Sequence, residues 1–252
     1  MSSFKDCVCI SQARIITGRQ KGTHICTIAF QPAEQKFLRL CVPYSRDRLP
    51  VLKRWSVFDF DGTKEGLKND TRDETWNAER VRPTHSIKDD SQAKRSIHAS
   101  ILSNYKYESE LNSDRLSIGL LIPQKNSLKF YRENYSPSTK EDQKQLERGK
   151  YMAYLGIWFP PYKVFVKGKR RCEGRVRAFT KQLLAWDVYE ALRKNEVDPF
   201  AQIYDYTNPY MILGNLATQR RAFMVIGVLS APPGYIEKYA IHQQLSLTHG
   251  HL

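Results

Sequence analysis

Residues 57–64 read VFDFDGTK, and two folds compete for them. Asp59 and Asp61 flank Phe60 behind an apolar run, and paired carboxylates suit nucleophilic and acid–base chemistry. One fold for such a pair is an α/β layer, with strands and helices alternating around a parallel sheet. The alternative is a strand of a small barrel ending in an Asp-Gly turn, with Gly62 at positive φ and both acids on the rim. The neighbouring sequence decides. Upstream lie CVCISQARIIT (7–17), THICTIAF (23–30) and KFLRLCVPY (36–44), rich in β-branched and aromatic residues. Turn residues separate these runs about every ten positions, the spacing of a small barrel or sandwich.

Further along, residues 62–90 are polar with little to bury and read as a long loop or arm. In SQAKRSIHASILSNYKYESELN (91–112), Ile97, Ile101, Leu102 and Tyr105 recur at helical spacing, with a Ser or Asp near the start as the candidate cap. A second β-rich stretch begins near Leu116. There RLSIGLLIP (115–123) and SLKFYREN (127–134) read as a hairpin, and a polar helix starts at Ser138 or Thr139. YMAYLGIWFPPYKVFVKGKRRC (151–172) reads as two strands broken at Pro160–Pro161. AFTKQLLAWDVYEALRKN (178–195) reads as an amphipathic helix buried along Phe179, Leu183, Leu184, Val188 and Leu192. RAFMVIGVLSAPPGY (221–235) is a closing buried strand. The expected fold is β-rich α+β: two OB-like or small-barrel halves, residues 1–115 and 116–252, each with a packed helix.

DFDGT resembles the opening motif of haloacid-dehalogenase-like phosphotransferases, which implies a Mg-dependent phosphatase using Asp59 and Asp61. Such an enzyme also needs a later lysine for the phosphate and a paired acidic motif after an apolar strand. Here IKDDSQ (87–92) follows a polar stretch, and no GDxxxD-like segment comes after it. Without its structural context the motif carries little, so catalysis stands as the alternative reading.

Forty Lys and Arg against twenty-six Asp and Glu give a formal charge of +14, a balance that favours a polyanionic partner. Half of that surplus sits in residues 163–181: Lys163, Lys167, Lys169, Arg170, Arg171, Arg175, Arg177 and Lys181 against Glu173. On a strand, Lys163, Phe165, Lys167 and Lys169 share one face, opposite Val164 and Val166. Trp158 and Tyr162 lie just upstream, and cations beside flat rings suit single-stranded nucleic acid. Core packing is the competing role for the rings, and a solvated turn for the charges. A second basic cluster, with Arg46, Arg48, Lys53 and Arg54 beside Trp55, extends the candidate path through Lys53 and Arg54. Arg72, Arg80 and Arg82 alternate with acids and read as surface ion pairing worth little.

The five cysteines are odd in number and form no CxxC pair, and Cys7 and Cys9 flank Val8. They read as buried thiols in a reducing cytoplasm rather than a disulfide framework. No run of ~18 apolar residues reaches membrane-spanning length, and no secretory leader is evident. No cofactor or metal is expected. His242, His249 and His251 sit at the chain end, Cys172 lacks zinc-ligand spacing, and neither a Walker A loop nor GxGxxG occurs.

YKVFVKGKRRCEG (162–174), LLAWDVYEALRK (183–194) and YMILGNLATQRRAFMVIGVLSAPPG (210–234), with LKRWSVFDFDGTKEG (52–66) and DTRDETW (70–76), resemble a group of uncharacterised prokaryotic proteins. That group is thought of as double OB-type modules tied to mobile elements or antiviral defence. The resemblance implies a binding role, a larger assembly with other protein subunits, and a structural part for the Asp pair. The group carries another Cys or His after the position of Cys172, where this chain has Gly174, Arg175 and Arg177, which tells against a metal there. The expected partner is RNA or DNA, bound chiefly through phosphates, with an acidic protein as a further alternative.

Overall fold

The computed structural model describes residues 1–18, 22–44, 52–64, 72–104, 106, 110–111, 116–172, 175–194, 207–216 and 219–240. Five strands close a first barrel: β1 (Ser2–Gln12), β3 (Gly22–Gln31), β4 (Lys36–Pro43), β5 (Ser56–Thr63) and β6 (Thr75–Ser86), with β2 (Ile16–Gly18) as an extension on β3. Around the barrel the order is β1-β3-β4-β6-β5 and back to β1. The β4–β6 pairing is parallel and the others antiparallel. This is the Greek-key order of an OB barrel. Alternation supplies the interior: Cys7, Cys9, Leu38, Leu40, Phe58 and Phe60 point into it, and burial pushes both thiols up to about 12.

A second sheet has the order β7-β11-β12-β10-β9-β8. Its strands are β7 (Ile118–Leu121), β8 (Lys129–Asn134), β9 (Tyr162–Cys172), β10 (Arg175–Leu183), β11 (Pro209–Leu216) and β12 (Gln219–Ser230). Again one pairing, β10 with β12, is parallel. The two edge strands β7 and β8 are consecutive in the chain, and Pro123 between them bridges Arg170 of β9. Counted as two parts of one strand, they give the second sheet the order of the first barrel. Helix α1 (Gln92–Ser103), capped by the Ser91 hydroxyl, links the halves. Helix α2 (Lys140–Tyr154), capped by Thr139, lies between β8 and β9, and α3 (Trp186–Lys194) between β10 and β11. A single π-helical turn, Ile236–Ala240, packs on α1. No helix among the described residues is long and apolar enough to cross a membrane.

The halves meet through the outer face of the first barrel. Ile10 of β1, with Ile28 and Phe30 of β3, packs with Leu120, Ile212 and Ile226 of the second sheet and with Ile97 and Ile101 of α1. Each such side chain, fully buried, contributes about 1.5–3 kcal/mol. Two arginines stitch the seam: Arg39 donates to the carbonyls of Ser117 (2.8 Å) and Asn215 (2.9 Å), and Arg72 donates to Asn215 as well (2.9 Å). The Ser11 hydroxyl donates to the Ile226 carbonyl, and Gly227 permits that approach, since a Cβ there would collide with Ser11. His98 of α1 is buried between Trp55 and Tyr210, with Nδ1 2.8 Å from the Tyr210 hydroxyl.

Several sequence expectations give way here, each for a physical reason. Residues 75–86 form β6 rather than a loop. Only Thr75 and Ala78 of β6 are buried, so the strand shows no apolar alternation. Arg72 is buried at the seam, not on the surface. The segments 115–123 and 127–134 do not form a hairpin, because β7 and β8 lie at opposite edges of the sheet. Residues 178–183 belong to β10, and the helix begins at Trp186. Phe179 and Leu183, four apart, satisfy a strand's period as well as a helix's, and pairing with β9 settles the matter. Residues 151–154 end α2 instead of forming a strand. Gly62 is not in a turn: it lies inside β5 at a register shift, where a Cβ would come within 2.9 Å of the Phe60 ring. Tyr105, Arg46, Arg48 and the three C-terminal histidines lie outside the described residues.

Candidate nucleic-acid interface

Register assigns the faces of the basic segment. Across β8 and β9, Lys129 pairs with Lys167, Tyr131 with Phe165 and Glu133 with Lys163. Across β9 and β10, Lys167 pairs with Thr180, Lys169 with Ala178 and Arg171 with Val176. Paired residues share a face, and so do alternate ones. Lys129, Lys163, Lys167, Lys169 and Arg171 therefore stand on the outer face with Tyr131 and Phe165. Val164, Val166, Phe179 and Leu183 point inward and are buried. Arg170 pairs with Arg177 and Arg175 with Cys172, which puts these arginines on the opposite face. The cations crowded in sequence are thus divided between two sides of one hairpin, because a strand alternates its side chains.

The outer face carries a feature that the sequence reading left out of the site. The Tyr131 and Phe165 rings stack at 5.3 Å between centroids and 14° between planes, and both are half-buried. Lys167 lies over Tyr131, with its ammonium 5.4 Å from the ring centre. Among the described residues no carboxylate pairs with Lys129, Lys167, Lys169 or Arg171. The signal was present in the alternation of Lys129 and Tyr131, and of Phe165 and Lys167. It becomes readable once β8 is set beside β9.

The remaining candidates go elsewhere. Lys163 is ion-paired at 2.6 Å with Asp142, a buried residue in the first turn of α2. That ammonium, followed by the Ser136 backbone N–H, holds the Asp142 carboxyl below the ordinary carboxylate range. Lys163 thereby fastens α2 to the start of β9. Tyr162 stacks on buried Tyr189 at 6.5 Å and borders the core. Trp158 meets Trp186 edge-on at 6.5 Å and lines a cleft between the halves, which also holds Lys53 and Arg54. Arg54 is ion-paired with Asp187 of α3 at 2.5 Å. Of the original set, Lys167, Lys169 and Arg171 share the outer face, Arg170, Arg175 and Arg177 the side of Val164 and Val166, and Trp158, Lys53 and Arg54 the cleft.

The acids of VFDFDGTK are held within the barrel wall. Asp59 accepts from the Asp6 backbone N–H at 3.0 Å, and Asp61 takes both Arg82 terminal nitrogens at 2.8 and 3.2 Å. The Arg82 hydrogen bond holds the Asp61 carboxyl below its ordinary range. Their strand, β5, runs antiparallel to both neighbours, unlike the parallel sheet that the phosphotransferase reading needs.

In an OB barrel the face of the second and third strands receives the ligand. In the first barrel that face, β3 and β4, is covered by the second half through Ile28, Phe30 and Arg39. In the second half the matching strands are β9 and β10, whose outer face is exposed at Lys167, Lys169 and Arg171. Compared with known proteins, the chain matches no family model and no curated protein.

Proposed function

We propose that this protein binds single-stranded nucleic acid along the outer face of β8, β9 and β10. Lys129, Lys167, Lys169 and Arg171 hold phosphates, while Tyr131 and Phe165 offer ring faces to the bases. The observation that carries this reading is the half-exposed Tyr131–Phe165 stack set among cations that no described carboxylate neutralises. Cross-strand packing accounts for part of that pair, at ~0.2–1 kcal/mol, but not for the unneutralised cations around it. A charge of +14 and the OB strand order support the same reading. In keeping with the resemblance noted above, the surface would work within a larger nucleoprotein assembly.

The test is binding of labelled single-stranded RNA and DNA, and of both duplexes, at several salt concentrations. Affinity for single strands should fall with salt by about 0.7 log units per log unit for each phosphate neutralised. Preference for duplex, or affinity indifferent to salt, would overturn the proposal. Purification with a stoichiometric acidic protein and no absorbance of nucleic acid would favour a protein partner instead.

A further inference from the structure

We infer that the cleft between the two halves takes one unstacked nucleotide of the bound strand, an inference that rests on the function proposed above. The cleft measures about 740 Å³, within the ~300–1,000 Å³ typical of small-ligand sites. Its lining includes the half-buried Trp158 and Trp186 indoles, which meet edge-on at 61°, and buried Leu52 and Ile157. Indole faces beside apolar side chains suit a flat heterocycle, which binds by stacking on an aromatic ring.

The rim supplies the complementary charge. Arg54 pairs with Asp187, and Arg193 with Glu190 at 2.8 Å, so these four charges balance one another. Lys53 and Lys194 also line the cleft and are exposed, and no described carboxylate pairs with either. A cleft that combines indole and aliphatic side chains with two unbalanced lysines offers a nucleotide both a surface for its base and cations for its phosphate.

Position ties the slot to the strand path. Trp158 stands four residues before the start of β9, and Trp186 three residues after the end of β10. The slot therefore opens at the Lys163–Leu183 end of the hairpin, away from Arg171. From Arg171 to Lys163 the outer face runs roughly 26 Å, eight residues of β-strand. A strand laid on the Tyr131–Phe165 stack leads towards the slot.

Ultraviolet crosslinking of a bound oligothymidylate or oligouridylate, followed by peptide mapping, tests this directly. Adducts are expected on Trp158 or Trp186 as well as on Tyr131 or Phe165. Adducts on the strand residues alone would overturn the slot and leave the proposed function standing, whereas absence of binding would remove both. The double variant Lys53→Glu, Lys194→Glu alters only exposed side chains. It should weaken binding of a ~16-nucleotide strand by about tenfold while leaving a ~4-nucleotide strand unaffected; equal effects on both lengths would count against the slot. Free adenosine monophosphate provides the remaining arm. If it quenches tryptophan fluorescence at concentrations as low as the oligonucleotide does, the occupant is a free nucleotide and the strand assignment fails.

Discussion

Tyr131 of β8 and Phe165 of β9 face each other across an antiparallel pairing and stack with their ring centres 5.3 Å apart. Both project from the outside of the sheet, away from the core beneath. If these rings receive bases, Phe165→Ala and Tyr131→Ala should each lower affinity for a single strand by ~1–3 kcal/mol. Thermal melting should change little by comparison. Anisotropy titrations alongside circular-dichroism melts separate the two, and equal losses in both would assign the rings to stability.

The division of the basic hairpin into two faces yields a comparison between triple variants. Lys167, Lys169 and Arg171 project from the face of the stacked rings, and Arg170, Arg175 and Arg177 from the other. Replacing the first three with Ala should reduce the salt slope by about 2. Replacing the second three should change it by much less. Equal effects would mean that total charge matters and the face does not.

Lys163 separates structure from binding. Its ammonium offsets the charge of buried Asp142, whose carboxyl titrates below the ordinary value of 3.8. A lowered carboxylate contributes stability that is present above 3.8 and lost as pH falls through the folded-state value. Lys163→Met should therefore lower the melting temperature at neutral pH, and the difference from the parent should shrink in acid. Affinity for a single strand should fall less than in Lys167→Met. A pH series of melts, with one titration per variant, checks both statements.

His98 sets the acid limit of the seam. Burial first, and the Lys94 charge second, push its imidazole from 6.5 down to about 4. Above 6.5 the ring is neutral in the folded and unfolded chain alike, and it adds no dependence on pH. Between 6.5 and 4 the unfolded chain takes up a proton that the folded chain refuses, so stability falls as the solution is acidified. The loss is on the order of 3 kcal/mol. Urea unfolding from pH 7 to pH 4 measures it, and His98→Gln should flatten that part of the profile.

Much of this architecture was legible locally. CVCISQARIIT and KFLRLCVPY announce β1 and β4 because alternation is a property of neighbours, and the cap residues near 90 and 138–139 announce α1 and α2 because a cap is made within one turn, with Ser91 and Thr139 the ones used. Phe179 and Leu183 misled because four residues is a multiple of two and also close to one helical turn. The polar β6 was illegible because most of it faces outward.

The sequence by itself determined that the protein is β-rich, strongly basic, and charged most densely between Lys163 and Lys181. Tertiary structure alone decided that Lys129 and Tyr131 of β8 join the side of Phe165, Lys167 and Lys169, that Arg39 and Arg72 serve the seam, and that the first barrel spends its β3–β4 face on the second half. The reason is physical. A side chain's alternation is fixed by its own backbone, but its partner across a strand pair is fixed by chain closure over tens of residues, and no local pattern records that closure.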